Sequence, residues 1–277
     1  MTSMKIKPEP LSTDPNRLYK EWFENRKRMC AKIDPLVKFE EPIYQDKVRF
    51  VCISDTHEKL RDLLPKIPNG DVLVHCGDFT NTGDRNELEE FNYAIGKLPH
   101  PHKIIIAGNH EFGFDDSEDL VQREEKYKGH GTPKGHKLLT NCTVLADKMV
   151  EIYGIKIYGT SWHPLSGYAY YRPRDKLHEK WNLIPDDIDI LLTHTPPLGH
   201  GDLWNRQSRE GDVDLLNTIE HRVKPKFHVF GHIHEQPGIT TNGVTNFVNA
   251  AICSHKLEIM NLPILFDIPL KPGLQKS

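Results

Sequence analysis

The sequence predicts an α/β fold, and three features carry the prediction. Five short apolar runs lie between residues 48 and 231, stretches of helical periodicity separate some of them, and two further segments carry the turn signals of hairpins. With 277 residues and 37% hydrophobic composition, the chain can bury the core of one large domain.

Taken in order, residues 1–46 form an N-terminal extension rich in proline and charge. One amphipathic helix is predicted within it, with Asp14 as N-cap, Pro15 at the first helical position, and Leu18, Trp22, Met29 and Ile33 on one face. The main domain occupies 47–270 and a short tail 271–277. The runs VRFVCIS (48–54), DVLVHCG (71–77), KIIIAG (103–108), DILLTH (189–194) and FHVFG (227–231) are nearly continuous in apolar residues and read as buried strands. Helices are predicted over 84–98, where Leu88, Phe91 and Ile95 recur at helical spacing, and over 212–223, which opens on an Asp N-cap. Strands alternating with helices imply right-handed βαβ units. The segments 149–162 and 238–250 carry the turn pairs Tyr153-Gly154 and Asn242-Gly243 and predict hairpins in an additional antiparallel sheet. The piece KYKGHGTPKGHK (126–137) reads as a charged loop, and no internal repeat is present.

Composition narrows the function. Lys and Arg number 36 against 39 Asp and Glu, a net charge of −3 with no long run of either sign, so the sequence gives no strong nucleic-acid signal. No stretch approaches the ~18 apolar residues of a membrane span, and the opening lacks the apolar core of a secretory signal. A cytoplasmic protein with a small-molecule partner is expected. Five cysteines without a CxxC pair predict no disulfide framework. Sixteen histidines are the one compositional oddity.

Each apolar run ends in residues able to bind metal: Ser54-Asp55-Thr56-His57, Gly77-Asp78, Gly108-Asn109-His110-Glu111, His194, and Gly231-His232-Ile233-His234. Singly, an Asp-x-His can be a capped turn and a lone His a hydrogen-bonded structural residue. Five such ends in order are a different matter, because ligand sites of α/β sheets form at the carboxyl ends of strands. Mixed carboxylate and imidazole donors without cysteine suit Mn, Fe or Zn in a catalytic centre and not a structural zinc finger. Asp78 is the natural bridge between two ions ~3.5–4 Å apart. Asn109 offers a neutral oxygen, and His110 beside it is placed to act on a leaving group. Trp162, in Trp162-His163-Pro164, can wall a substrate crevice, His200 can contact phosphate, and Asn249 reads equally as a turn former. His75, His102, His130, His136, His178, His221, His228 and His255 have no motif partners and read as surface or structural histidines.

The set DxH, GD, GNHE, H and GHxH resembles the calcineurin-like metallophosphoesterase superfamily. The stretches FVCISDTH (50–57), DKLHEKWNLIP (175–185), DILLTHTPPLG (189–199) and HVFGHIHE (228–235) are similar to the small metallophosphoesterase-domain-containing proteins of animals, a group associated with cyclic-nucleotide phosphodiesterase activity. The resemblance implies a four-layer α/β sandwich and a dinuclear centre, with Mn favoured and Fe, Zn or Mg as alternatives. It places Asp55, His57, Asp78 and His234 on metal one, Asp78, Asn109, His194 and His232 on metal two, and makes His110 the proton donor. Some members of the closer group carry Gly at the first His of the last motif; this chain has His232. The expected activity is phosphodiester hydrolysis, with a phosphomonoesterase or a low-turnover nucleotide-binding regulator as the alternatives.

Overall fold

The computed structural model describes residues 5–118 and 123–276. Asp14 caps the first helix, α1 (Pro15–Tyr19), by accepting the Arg17 N–H at 3.0 Å, with Pro15 at the first helical position. The helix widens into a π turn over Lys20–Glu24 and stops there, because Arg26 adopts a left-handed conformation (φ 55°). Leu18 and Trp22 are buried as expected, but the predicted face goes no further. Met29 is exposed, and Ile33 belongs to a strand, β1 (Ala31–Ile33).

The main body then runs β2 (Lys47–Ile53), α2 (Leu60–Leu63), β3 (Val72–Cys76), α3 (Arg85–Gly96), β4 (His102–Ile106), β5 (Thr143–Val144), β6 (Lys148–Ile152) and β7 (Ile155–Thr160). It continues through α4 (Arg174–Trp181), β8 (Ile190–Thr193), β9 (Leu203–Trp204), β10 (Ser208–Arg209), α5 (Val213–Thr218), β11 (Phe227–Phe230), β12 (Gly238–Thr241), β13 (Asn246–Asn249) and β14 (Ile264–Pro269). A capping box starts α3: Asp84 accepts from the third residue of the helix, and the Glu87 carboxylate accepts the Asp84 N–H.

The five apolar runs divide between two sheets. One sheet has the order β14-β2-β3-β4-β5, parallel except for β14; the other has the order β1-β12-β13-β11-β8-β7-β6, with β13, β11, β8 and β7 parallel at its centre. The two hairpins therefore do not build an additional antiparallel sheet. Each contributes one parallel strand, β7 or β13, to the middle of the second sheet and one antiparallel strand to its flank. The reason lies in their sequences: the neighbours Ile157 and Tyr158, like Phe247 and Val248, point to opposite faces and are buried, which requires cover on both faces.

Alternation along β2 shows how the layers stack. Val48, Phe50 and Cys52 join Ile157, Ile190, Val229 and Val248 in the core between the sheets, where Phe266 stacks on Phe50 at 5.0 Å and on Phe227 at 3.7 Å. Val51 and Ile53 point to the outer core, which includes Leu60, Leu63, Leu88 and Phe91 of α2 and α3 and, beyond the second sheet, Leu177, Trp181, Leu215 and Leu216 of α4 and α5. The result is helix, sheet, sheet, helix: a four-layer sandwich. Among the described residues, no helix is long and apolar enough to cross a membrane. All five cysteines are free thiols.

Candidate metal centre

The loops that leave β2, β3, β4, β8 and β11 at their carboxyl ends meet at one edge of the sandwich. Their backbones are bent sharply: Asp55 (φ 53°), His57 (41°), Asp78 (52°) and His232 (68°) all lie in the left-handed region, which non-glycine residues occupy at a cost. The ends are tied together as they turn, Asp55 N–H to Gly77 O at 2.9 Å and His57 N–H to Asp78 O at 3.0 Å.

Two donor groups result, Asp55/His57/His234 and Asp78/His194/His232, the ligand atoms of each within 4.8 Å of one another. His234 Nε2 is 3.3 Å from Asp55 Oδ1. Asp78 Oδ2 reaches both groups, 3.9 Å from His57 Nε2 and 3.3 Å from His194 Nε2. Asn109 Oδ1 sits 2.8 Å from His194 Nε2 and 2.8 Å from His232 Nδ1. The structure thus brings together all seven candidate ligands. His110 joins them through its backbone N–H, donated to Asp78 Oδ1 at 2.9 Å, while its Nδ1–H donates to Asn81 O at 2.7 Å.

The residues present fit metal ions. His194 Nδ1 faces the Cys76 carbonyl at 2.8 Å, so that nitrogen carries a proton. In the neutral ring Nε2 is then a lone pair directed at the oxygens of Asn109 and Asp78, an arrangement that is satisfied when positive charge, a metal ion or a proton on Nε2, lies between them. Burial alone would lower the pKa of His194, but the charge of Asp78 raises it to about 9, a field that draws positive charge. Burial likewise opposes ionisation of Asp55, yet the bond from His234 and the nearby histidine charges hold it at about 2. His57 is 3% exposed and neither ring nitrogen has a hydrogen-bond partner among the described residues. Burial, opposed by Asp78, pushes its pKa down to about 4, which leaves the neutral imidazole that binds metal. Glycine is required beside both carboxylates: a Cβ at Gly231 would collide with the Asp55 carboxylate, and one at Gly108 with that of Asp78.

The calcineurin-like phosphoesterase family model matches residues 48–236, the span that carries every one of these donors. The chain belongs to the calcineurin-like phosphoesterase family. It is 52% identical to a UPF0046 protein of Caenorhabditis elegans, with 100% of both chains covered. It is 40% identical to the human metallophosphoesterase domain-containing protein 1 over 95% of this chain and 85% of that one. A more distant relative, named Probable glycerophosphodiester phosphodiesterase, from Arcobacter nitrofigilis, is 28% identical over 74% of this chain and 72% of its own.

Within this phosphoesterase, two sequence-predicted substrate contacts lie elsewhere. Trp162 is buried with its indole N–H donated to Asp147 at 2.9 Å and with Lys180 and Arg172 over its ring, so it is a packing residue behind the crevice. His200 is fully buried, stacked on Phe247 at 3.7 Å and bonded to Thr240 Oγ1 at 2.8 Å. Asn249 ties loops together, donating to Gly201 O and Ile233 O. His75 and His228 are buried partners of Thr56 and Thr193. His255 differs from the other histidines set aside: it stacks on His234 at 5.1 Å and lines the crevice.

That crevice, about 790 Å³, opens above the donors and is walled by Tyr127, Leu165, Tyr168, Arg174, Trp204 and Leu257. None of these carries a motif, and no local sequence signal marks them. Glu111 is a different omission, since it stands inside GNHE. Its carboxylate accepts the N–H groups of Asp78 (2.9 Å), Phe79 (3.0 Å), Thr80 (3.0 Å) and Gly108 (2.5 Å) and the Thr80 hydroxyl (2.9 Å). Burial first, and the charge of Asp78 second, raise its pKa to about 8, against the pull of these donors. It clamps the Asp78 loop to the Asn109 loop.

Proposed function

We propose that this chain is a dinuclear-metal-dependent phosphodiesterase acting on small phosphodiesters, cyclic and other small nucleotides among them, with Mn as the favoured metal. The observation that carries the reading is the meeting of the two donor groups at Asp78, on the floor of one crevice beside His110. The phosphodiesterase name of the Arcobacter relative supports the choice of diesters over monoesters.

In this reading Asp55, His57, Asp78 and His234 hold one ion and Asp78, Asn109, His194 and His232 the other. The bound ions would supply positive charge for the phosphoryl oxygens and an ionised water at neutral pH. Asn109 contributes an oxygen without adding negative charge next to an anionic ester. His110 commits Nδ1–H to Asn81 O, so Nε2 is the nitrogen that exchanges a proton with the departing ester oxygen. Its ring is held edge-on to Tyr168, centroids 5.4 Å apart, and to His57 at 5.1 Å, which restricts the directions in which that proton can be offered.

The test uses protein stripped of metal and reloaded with Mn, Zn, Mg or Ca. Bis(p-nitrophenyl) phosphate, cyclic nucleotides and p-nitrophenyl phosphate are compared as substrates. Mn should restore diester hydrolysis better than Ca, whose preference is for larger, oxygen-rich cages. Diester turnover that persists at near-zero metal content would overturn the two-metal reading; faster monoester than diester turnover would overturn the diester assignment.

A further inference from the structure

The loop between His200 and Asp212 carries a small hairpin, β9 and β10, joined by a turn in which Asn205 (φ 48°) and Arg206 (φ 57°) are both left-handed. Two strands of two residues each do not hold themselves. Glu235 and Gln236 accept the Asn205 and Leu203 N–H groups at 2.8 and 3.2 Å, and the N-terminal segment braces the second strand through Arg209. Arg209 N–H donates to Asn16 Oδ1 at 2.9 Å, its guanidinium lies 3.6 Å from the Tyr19 ring centroid, and Nη1 bonds Asp202, a fully buried carboxylate, at 2.7 Å. Held this way, the hairpin turns Trp204 to the crevice. The other three tryptophans, Trp22, Trp162 and Trp181, are 9%, 6% and 0% exposed, whereas Trp204 is 40% exposed. A large indole left in water beside a phosphoesterase site has area to bury on a ligand, and Leu165 and Tyr168 line the same space.

We propose that Trp204 is a specificity-determining residue, an aromatic face for a planar ring esterified to the substrate phosphorus, and that Tyr19 is a positioning residue that sets it through Arg209. The proposal rests on the phosphoesterase reading of the site and adds to it the class of group accepted beside the phosphate.

The test compares two diesters with the same leaving group, bis(p-nitrophenyl) phosphate and methyl p-nitrophenyl phosphate, on the metal-loaded full chain. Trp204→Ala should lower the aryl-to-methyl ratio of kcat/KM about tenfold, the low end of what ring stacking contributes. Trp204→Phe should restore most of it. Tyr19→Ala should lower the same ratio about threefold through KM and not kcat, while Tyr19→Phe, which keeps a ring beneath Arg209, should match the wild type. A second readout needs no turnover: phenylphosphonate should quench the exposed indole's fluorescence, and its affinity should fall about tenfold in Trp204→Ala, measured by calorimetry.

An unchanged ratio together with unchanged phenylphosphonate affinity in Trp204→Ala overturns the aromatic face. A Tyr19→Ala protein of normal melting temperature whose ratio equals that of wild type overturns the positioning role. If wild type hydrolyses neither ester but phenylphosphonate binding still depends on Trp204, the phosphoesterase reading fails and the aromatic face stands.

Discussion

The floor and the wall of the crevice are built by opposite strategies. Every donor on the floor sits within a few residues of the end of a central strand, and the loops are locked by backbone bonds and by the five-donor clamp on Glu111. The wall at Trp204 hangs on a hairpin of four paired residues, held by Asn16 and Tyr19 from a segment nearly two hundred positions earlier and by Glu235 and Gln236, which accept the Asn205 and Leu203 N–H groups. Chemistry common to phosphoester hydrolysis is thus placed on the rigid part of the fold. The groups that would discriminate among esters stand on an adjustable part, as loops on a fixed scaffold often do.

The contrast breaks most visibly at Asp78. Asp78→Ala removes the one carboxylate that, among the described residues, reaches both donor groups, and would leave the two proposed cation sites without the charge between them. Turnover should fall by ~10³-fold or more, since each ion supplies several kcal/mol of charge stabilisation. Metal analysis of the purified variant checks the cause: two tightly held equivalents per chain would show that Asp78 is not shared. A loss no larger than that of Trp204→Ala would erase the distinction between floor and wall.

His110 sharpens it. His110→Ala should lower turnover by about 10²-fold, within the ~10²–10⁴ range for a proton donor, while metal content stays near two. The loss should shrink for p-nitrophenyl esters, whose departing oxygen needs little protonation. Equal losses on an aryl and an alkyl leaving group would count against the acid role.

What the sequence discloses follows the same line. Strand-end donors are legible because period, apolar run and polar terminus are all local, so Asp55 through His234 stand out without any knowledge of the fold. The five runs appear as five strands for the same reason. The division of those strands between two sheets is not local: burial of both faces, through Ile157 and Tyr158 in β7 and Val248 and Phe247 in β13, puts these strands into the second sheet. Helical periodicity from Leu18 to Ile33 ran through a stop that only the left-handed backbone at Arg26 reveals. Trp162 and Trp204 are the plainest pair. Trp162 stands beside a strand end and reads as a crevice residue, yet Asp147 and two cations bury it; Trp204 stands in a loop without any signal, and tertiary contacts alone bring it to the crevice.

Glu111 tests how rigid the floor is. Glu111→Gln keeps one acceptor oxygen but turns an amide N–H₂ towards buried backbone N–H groups, so at least one of them loses its partner. An unsatisfied buried donor costs ~1–3 kcal/mol, so a loss of about 2 kcal/mol is expected. Urea midpoints of the metal-free proteins measure it; equal midpoints would mean that the loops hold their shape without the clamp.

The smallest effect is expected behind the wall, at Asp214 on α5. This carboxyl is fully buried, accepts the Glu9 N–H at 2.8 Å and thereby ties the N-terminal segment to the second helical layer. Burial, then the charges of Asp212 and Glu9, push its pKa up to about 7, against the pull of the Glu9 N–H. An unfolded Asp titrates near ~3.9, so between about pH 4 and 7 the native state keeps a proton that the unfolded chain has released. Stability from this group therefore falls as pH rises across that window, and the full penalty is present above it. Asn at this position keeps an acceptor for Glu9 and cannot ionise. Asp214→Asn should gain on the wild type as pH goes from 5 to 7.5, by no more than ~1.4 kcal/mol per pH unit and by less if the N-terminal segment relaxes. Urea unfolding at four pH values between 5 and 7.5 reads this directly. A difference between the two proteins that does not change with pH would show that Asp214 ionises normally in the fold, and that the segment bracing the wall is held without a buried neutral carboxyl.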